Sequence, residues 1–248
     1  MGVRPDAVCF EAASKHYGDT VGLHPLDLSI PPGTLFALVG PNGAGKTTAL
    51  GLVTGLLVPT TGRVLVGGLD VAADPVAAKS RLGFVPDRPL LWPKWTPRES
   101  LRFVGAVFGL SGDALEERID AELSAFALSE AAAVRNEALS HGTRQRVALA
   151  QAFLHDPDVF VLDEPMVGLD PFAQRTLARR LQERTAAGAT VLFTTHQLAT
   201  ASDLATEAGL LVGGRLAAQG APSQMTTAGG RSGSLEELFF GAERQEES

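Results

Sequence analysis

A glycine-rich stretch at residues 40–48 constrains the fold of this chain more than any other feature. It reads Gly-Pro-Asn-Gly-Ala-Gly-Lys-Thr-Thr and contains the phosphate-loop pattern G-x-x-x-x-G-K-[ST]. The run 35–39 before it is short and apolar, which is typical of a parallel strand covered on both faces, and 49–57 has the pattern of a packed helix. A glycine-rich turn with a chance lysine is the alternative. The flanking strand and helix favour a nucleotide site.

The spacing of this loop suits the binding of phosphate. Its glycines let the backbone curl so that consecutive N–H groups point inward, and the next helix presents its unpaired N–H groups and positive dipole end. Lys46 would add a charge between the β- and γ-phosphates, and the hydroxyl of Thr47 would ligate Mg²⁺. The loop residues expected to bind the nucleotide are Gly40, Asn42, Gly43, Ala44, Gly45, Lys46, Thr47 and Thr48.

Composition narrows the class of protein. A chain of 248 residues that is 45% hydrophobic can bury the core of one α/β unit. Its net charge of −7 makes nucleic acid an unexpected partner, and its single cysteine, Cys9, excludes an internal disulfide and fits a reducing cytosol. No apolar run approaches the ~20 residues of a membrane span, and the start, 1–6, lacks the apolar segment of a secretory signal.

Hydrophobic patterning predicts the order of the elements. Antiparallel strands open the chain, with Val8, Phe10 and Ala12 alternating with more polar neighbours. The region 88–157 is expected to be helical throughout, including a capped helix start at Thr96 and a stretch at 130–139. We therefore predict an α/β core at 1–87 and 158–220, an inserted helical subdomain at 88–157, and a loosened tail with a short helix at 221–248.

Two adjacent carboxylates follow the apolar run 159–162. Open parallel sheets place their ligands at the carboxyl ends of the strands, where these acids would lie. They could be ordinary loop acids, but beside a phosphate loop the more specific interpretation is favoured. Asp163 would hold Mg²⁺, directly or through water, and Glu164 would polarise the attacking water.

Three other residues leave alternatives open. His196 ends the buried run 189–195, where it could hydrogen-bond a γ-phosphate or be merely structural. Tyr17 could stack on a base or pack at a strand end. Ser140 starts a helix that could hold an anion, although such a residue is more often a simple cap.

Taken together, these motifs resemble the ATP-binding-cassette (ABC) ATPases over about residues 7–220. Leu-Ser-His-Gly-Thr-Arg-Gln-Arg at 139–146 looks like the ABC signature, and Gly-Leu-Asp-Pro at 168–171 looks like the D-loop. His196 resembles the switch histidine and Tyr17 the adenine-stacking aromatic. The resemblance implies a P-loop NTPase core of mainly parallel sheet, with an N-terminal antiparallel β region and an inserted helical subdomain.

The resemblance also implies a mechanism with two subunits. Two copies, or this chain and a paralogous ABC subunit, would face each other head to tail around two ATP molecules and Mg²⁺. Ser140 and Gly142 of one subunit would contact the γ-phosphate bound by the other, with Asp170 of the D-loop also at this interface. Hydrolysis would then drive a membrane partner.

The sequence departs from the common family pattern at three places. The signature has His141 and Thr143 where Gly and Gln are usual, and Asp87 replaces the Q-loop glutamine, where its carboxyl oxygen would still face Mg²⁺. These two departures resemble the branch that serves ABC-2-type exporters. The third, Met-Val at 166–167, has no account from sequence.

Two classes of function are compatible with these motifs. The first is the ATPase subunit of an exporter, docked on a separate permease through the region 87–95 at the cytoplasmic face of the membrane. Trp92 and Trp95 could form that contact, or could equally be buried packing residues. The second is a soluble ABC protein that acts as a nucleotide-switched scaffold in the assembly of another complex. Residues 46 and 140 lie too close in sequence for the long coiled coil of DNA-maintenance members, and translation-type members carry two cassettes.

Overall fold

The computed structural model describes residues 5–227 and 229–246. The strands in chain order are β1 (Val8–Tyr17), β2 (Thr20–Ile30), β3 (Leu35–Val39), β4 (Thr61–Val66), β5 (Leu69–Asp70), β6 (Leu82–Val85), β7 (Val159–Leu162), β8 (Thr190–Thr195), β9 (Glu207–Val212), β10 (Arg215–Ala221), β11 (Gln224–Thr227) and β12 (Ser232–Gly233). The helices are α1 (Lys46–Val53), α2 (Pro75–Lys79), α3 (Pro97–Val107), α4 (Gly112–Ala125), α5 (His141–Phe153), α6 (Pro171–Ala186), α7 (Leu198–Leu204) and α8 (Leu235–Glu246). Residues 1–4, on which the expectation about a secretory signal partly rests, lie outside this description.

The strands form two sheets. An antiparallel sheet has the order β2-β1-β4-β5, and a larger mixed sheet has the order β12-β11-β10-β9-β3-β8-β7-β6. Within the larger sheet β9, β3, β8, β7 and β6 run parallel, whereas β9 to β12 pair antiparallel. The predicted α/β class, with an antiparallel N-terminal region, is therefore confirmed.

The larger sheet is buried on both faces. Leu35, Ala37 and Val39 of β3 belong to a core that also contains side chains of α3 to α6, while Phe36 and Leu38 belong to the core shared with α1 and the smaller sheet. Alternate residues of a strand point to opposite faces, so both sets are apolar and the strand reads as one continuous run. Because both faces of such a strand are buried, polar groups are expected at its ends.

The strand β1 contains a bulge that the sequence pattern missed. Val8 and Phe10 are buried as expected, but Ala12 is exposed, has a φ of 46°, and is followed by a fully buried Ala13. The pairing registers with β2 and β4 both shift at this point. An inserted residue moves the buried positions by one, so the prediction of simple alternation through Ala12 is wrong.

The region 88–157 is less helical than predicted. The capped start at Thr96 is confirmed, because its hydroxyl accepts from Glu99 N–H and the Glu99 carboxylate accepts from Thr96 N–H. Residues 88–96 form no helix, and 130–139 fold as turns with a short 3₁₀ segment at Asn136–Ala138. The N–H of Asn136 donates to the carbonyl of Trp95, and its side chain to that of Trp92, so contacts with distant backbone replace the helical hydrogen bonds.

The tail is more ordered than its Gly/Ser content suggests. β11 and β12 extend the larger sheet, and α8 buries Leu235, Leu238 and Phe239 in the same core as Ala201 of α7. The helix after the glycine-rich loop is shorter than its sequence pattern over 49–57 predicted, because α1 ends at Val53 and Leu56 is exposed. The subdomain boundaries inferred from sequence stay predictions.

Candidate functional site

The glycine-rich loop lies between β3 and α1, and its glycines are required for different reasons. Gly43 and Gly45 have φ values of 82° and 99°, a backbone conformation that a Cβ makes unfavourable. Gly40 is needed for space, since a Cβ there would lie 2.2 Å from the carbonyl oxygen of Leu211. The loop is thus closely fitted to the neighbouring β9.

Lys46 is the first residue of α1 and its side chain is turned back along the loop. Its Nζ donates to the carbonyl oxygens of Gly40 at 2.6 Å and Pro41 at 2.9 Å. Burial lowers the pKa of Lys46, and the nearby carboxylates of Glu164 and Asp163 oppose that shift. The ammonium is therefore held inside the loop, on the side of the two acids.

Asp163 directly follows β7, and each of its two carboxylate oxygens accepts a hydrogen bond from a threonine hydroxyl. Its Oδ2 accepts from Thr47 Oγ1 at 3.3 Å, and its Oδ1 accepts from Thr194 Oγ1 of β8. Only 6% of Asp163 is exposed. This carboxylate thus joins the start of α1 to the end of β8.

Glu164 has a backbone conformation that is unusual for a residue with a side chain. Its φ is 47°, and its N–H donates to Thr194 Oγ1 at 3.0 Å. Its Oε1 lies 2.9 Å from Nδ1 of His196, at the end of β8. The carboxylate is mostly buried, whereas the imidazole is 55% exposed, so the pair lies at the edge of an accessible space.

That space is a cavity of about 640 Å³, bounded by the ends of four parallel strands. The lining residues are Tyr17, Thr20, Val21, Gly22, Asn42, Gly43, Ala44, Gly45, Lys46, Thr47, Thr48, Asp87, Asp163, Glu164, Val167 and His196. β3 supplies the loop, β6 is followed by Asp87, β7 by the two acids and β8 by His196. Residues far apart in sequence are thus gathered at one edge of the sheet.

Tyr17 packs at a strand end and also lines the cavity, so its position is compatible with both interpretations made from the sequence. At the end of β1 its ring packs on Gly22, where a Cβ would lie 2.5 Å from a ring carbon, and its hydroxyl lies 3.4 Å from Thr48 Oγ1. The residue is nevertheless 46% exposed and lines the cavity, with Lys15 Nζ 5.7 Å from the ring centre. Base stacking by Tyr17 stays a prediction.

Three of the predicted site residues lie together elsewhere in the chain. Ser140 caps α5 by accepting from Thr143 N–H at 3.2 Å, and Asp170 caps α6 by accepting from two N–H groups of its first turn. These backbone donors lower the pKa of Asp170. Gly142 lies against Gly168, and a Cβ at Gly142 would be only 2.5 Å from the Gly168 carbonyl oxygen. Ser140, Gly142 and Asp170 are not among the described residues that line the cavity.

The residues that depart from the common pattern have identifiable contacts. The imidazole of His141 packs on Gly168, and the Thr143 hydroxyl lies 2.8 Å from Ser140 Oγ. Met166 is buried in the core, and Val167 lines the cavity. The pair at 166–167, unexplained from sequence, thus joins the core to the site.

Thr194, a fully buried residue, was not predicted from the sequence. Its hydroxyl donates to the Asp163 carboxylate and accepts from the Glu164 N–H. Adjacent threonines at the end of an otherwise apolar strand were the available signal. Thr20, Val21 and Gly22 were missed as well. They follow Gly18 and Asp19, the two-residue turn that joins β1 to β2, and this hairpin turn was the available signal.

The site suits a magnesium ion that is bound partly by a phosphate. Within residues 5–227 and 229–246, no group of three or more His, Cys, Asp or Glu side chains could hold a metal alone. The Thr47 hydroxyl, the Asp163 carboxylate and the exposed Asp87 all line the cavity. Mg²⁺ is commonly held by one or two carboxylates together with substrate phosphates, so these residues fit such an ion.

Comparison with known proteins identifies a family and several similar proteins. Residues 23–167 match the family model described as ABC transporter. Over 211 residues the chain is 40% identical to the Nod factor export ATP-binding protein I of Cupriavidus pinatubonensis (strain JMP 134 / LMG 1197), covering 85% of this chain and 65% of that one. It is 36% identical over 212 residues to the probable multidrug ABC transporter ATP-binding protein YbhF of Escherichia coli (strain K12), covering 86% of this chain and 36% of that protein.

A solved structure, described as the ATP binding subunit of an ABC transporter, superposes with a TM-score of 0.86 at 31% identity. The match covers 95% of this chain and 99% of the solved one. The chain thus spans less than two thirds of the length of the two sequence relatives named above, but nearly all of this structure. Among the helices of the described residues, none combines the length and the apolar content that crossing a membrane requires.

Proposed function

The chain belongs to the ABC transporter family, whose ATP-binding proteins are ATPases, and we propose that it binds and hydrolyses MgATP to power a separate membrane permease. One observation carries this proposal. The parallel strands β3, β6, β7 and β8 bring a phosphate loop, Asp87, two acids and a histidine to a single cavity. Each group has a distinct task in phosphoryl transfer to water.

The loop and Lys46 would bind the triphosphate. The residues at the start of α1, including Lys46, line the same cavity as the acids, so the helix start and the lysine would compensate negative charge there. Thr47, Asp163 and Asp87 would hold Mg²⁺, which supplies positive charge to the phosphates when bound. Tyr17, at the open side of the cavity, would take the base.

Glu164 would accept the proton of the attacking water. Its Oε1 is hydrogen-bonded to His196, which also lines the cavity and would hold the carboxylate in place. His196 is exposed enough to hydrogen-bond a γ-phosphate as well. The pair would thus orient water and phosphate toward each other without forming a covalent intermediate.

A second subunit would complete the site. Ser140, Gly142 and Asp170 lie together at the starts of α5 and α6 but do not line the cavity of their own chain. A head-to-tail pair would bring these groups to the partner's nucleotide, with a copy of this chain or a paralogous subunit as partner. Free N–H groups at a helix start suit a γ-phosphate.

The permease would dock beside the helices α3 to α5, which we propose form a subdomain. The rings of Trp92 and Trp95 stack at 5.5 Å, Trp95 contacts Phe103 edge-on, and Trp92 is 62% exposed. A separate cavity of about 330 Å³ is lined by residues that include Leu56, Phe84 and Phe108, the last from the end of α3. Exposed aromatic side chains and apolar cavities both suit a protein partner.

The proposed direction of transport is supported by the names of the relatives. The names of two of them specify Nod factor export and probable multidrug transport. We infer that this chain also serves an exporter and lies at the cytoplasmic face of the membrane through its permease.

Catalysis is tested by two substitutions. Glu164→Gln should retain ATP and accumulate a dimer, because binding survives while activation of water is lost. Lys46→Ala should lose both binding and hydrolysis. The exposed Glu117 of α4 offers a matched control, and Glu117→Gln should hydrolyse ATP like the wild type. Wild-type turnover by Glu164→Gln would exclude Glu164 as the base.

The partner is tested by capture from native membranes. The tagged Glu164→Gln chain, held in the ATP-bound form and solubilised in mild detergent, should retain a multi-span permease that mass spectrometry identifies. Replacing Trp92 and Trp95 by Ala should remove that permease while leaving ATP binding intact. Undiminished recruitment by this variant would exclude the aromatic pair as the docking contact.

A further inference from the structure

We propose that Thr194 is a positioning residue for hydrolysis, because its single hydroxyl fixes the two consecutive acids relative to each other. This proposal rests on the proposed ATPase function. Thr194 lies on β8 and is fully buried, so it does not contact the cavity itself. It acts through Asp163 and Glu164.

The hydrogen-bond arrangement determines where the hydroxyl proton lies. A carboxylate oxygen can only accept, so Thr194 Oγ1 donates to Asp163 Oδ1. The oxygen then has lone pairs left, and one accepts the N–H of Glu164 at 3.0 Å. One hydroxyl thus joins the side chain of the first acid to the backbone of the second.

This link addresses a geometric problem of adjacent acids. Successive side chains of an extended strand point to opposite faces, yet Asp163 and Glu164 both line the same cavity. The chain achieves this by turning at Glu164, whose φ of 47° is unfavourable for a residue with a Cβ. The hydrogen bond from Glu164 N–H to Thr194 holds that turn in place.

The same strand provides a matched control. Thr190, at the other end of β8, is 1% exposed, accepts from Gly33 N–H at 3.1 Å and donates to the carbonyl of Pro31 at 3.4 Å. Its hydroxyl is equally buried and also joins an N–H donor to an oxygen acceptor, but that acceptor is a neutral carbonyl and neither partner belongs to the site. Loss of either hydroxyl should lower the stability of the fold, and more so at Thr194, where a buried carboxylate loses a donor.

The experiment compares hydroxyl-free and hydroxyl-bearing variants of the full chain. Thr194→Val keeps the volume of the side chain and Thr194→Ala is a second variant without the hydroxyl, whereas Thr194→Ser keeps the hydroxyl. We expect both hydroxyl-free variants to lower kcat by about 10- to 100-fold, with KM for ATP changed less than about threefold, since misplacement of reacting groups acts mainly on turnover. Both should require more Mg²⁺ for half-maximal activity.

The rescue and the control complete the test. Thr194→Ser should keep kcat within about threefold of the wild type, and Thr190→Val should lower Tm but keep kcat. The proposal is overturned if the hydroxyl-free variants keep kcat within twofold, if Ser loses as much as Val, or if Thr190→Val loses as much.

The Glu164→Gln variant separates this proposal from its premise. If Glu164→Gln is inactive and the Thr194 variants are not impaired, only the positioning role fails. If Glu164→Gln hydrolyses ATP at the wild-type rate, the assigned base is wrong, and the role of Thr194 fails with it.

Discussion

Removing one partner of the ion pair between Glu122 and Arg180 should destabilise the protein severely. Nη1 and Nη2 of Arg180 each donate to one oxygen of the Glu122 carboxylate at 2.7 Å, and the Arg180 and Glu122 side chains are only 12% and 10% exposed. The guanidinium also lies 4.7 Å from the ring centre of Phe126 and 4.5 Å from that of Phe153. The pair connects α4 to α6 across the helical layer.

The magnitude follows from the burial of both charges. Glu122→Leu leaves the guanidinium of Arg180 buried without its counter-charge, which costs about 3–5 kcal/mol. For a chain of this size each kcal/mol corresponds to roughly 2–4 °C, so we expect Tm to fall by about 6–20 °C. Replacing both residues, Glu122→Leu with Arg180→Met, should recover most of this loss, because no unpaired charge remains.

The assay is urea unfolding of the single and double variants, followed by tryptophan fluorescence. The exposed pair of Lys94 and Glu137, whose side chains are 73% and 41% exposed, is the control, and Glu137→Leu should change the free energy of unfolding by less than about 1 kcal/mol. A loss below about 1 kcal/mol for Glu122→Leu, or a double variant as unstable as the sum of the singles, would refute the reasoning.

Three further predictions concern single residues. Burial lowers the pKa of His155, so its contribution to stability is present above the unfolded pKa of about 6.5 and is lost as pH falls; Tm should drop less between pH 8 and 5.5 in His155→Phe than in the wild type. Thr96→Ala removes the oxygen that caps α3 and should lower the free energy of unfolding in urea by about 1 kcal/mol; an unchanged value would show that Glu99 alone maintains the helix start. Gly142→Ala places a Cβ 2.5 Å from the Gly168 carbonyl and should cost about 1–3 kcal/mol; an unchanged Tm would contradict this.

The phosphate loop and the strand ends were predictable because their signals are local. An apolar run of strand length followed by polar residues marks both a buried strand and the edge where its ligands bind. This identified β3, β7 and β8 with the groups that follow them, including the acids and His196. What remained unpredictable depends on partners distant in sequence.

The segment 130–139 illustrates this dependence. Its composition is compatible with a helix, yet Asn136 and Glu137 donate their N–H groups to the carbonyls of Trp95 and Pro93. The tail is similar, since α8 packs Leu235, Leu238 and Phe239 in the core that also contains Ala201 of α7. In both cases tertiary contacts override local preference, which single-sequence patterns cannot register.

The separation of Ser140, Gly142 and Asp170 from the cavity has a kinetic consequence. If a neighbouring molecule completes each site, the turnover of one molecule depends on how often it meets another. In dilute solution the initial rate should then grow with the square of protein concentration. A permease that holds two copies side by side would make the encounter intramolecular, at an effective concentration on the order of millimolar. ATP consumption would thus be concentrated where the membrane partner gathers the pair.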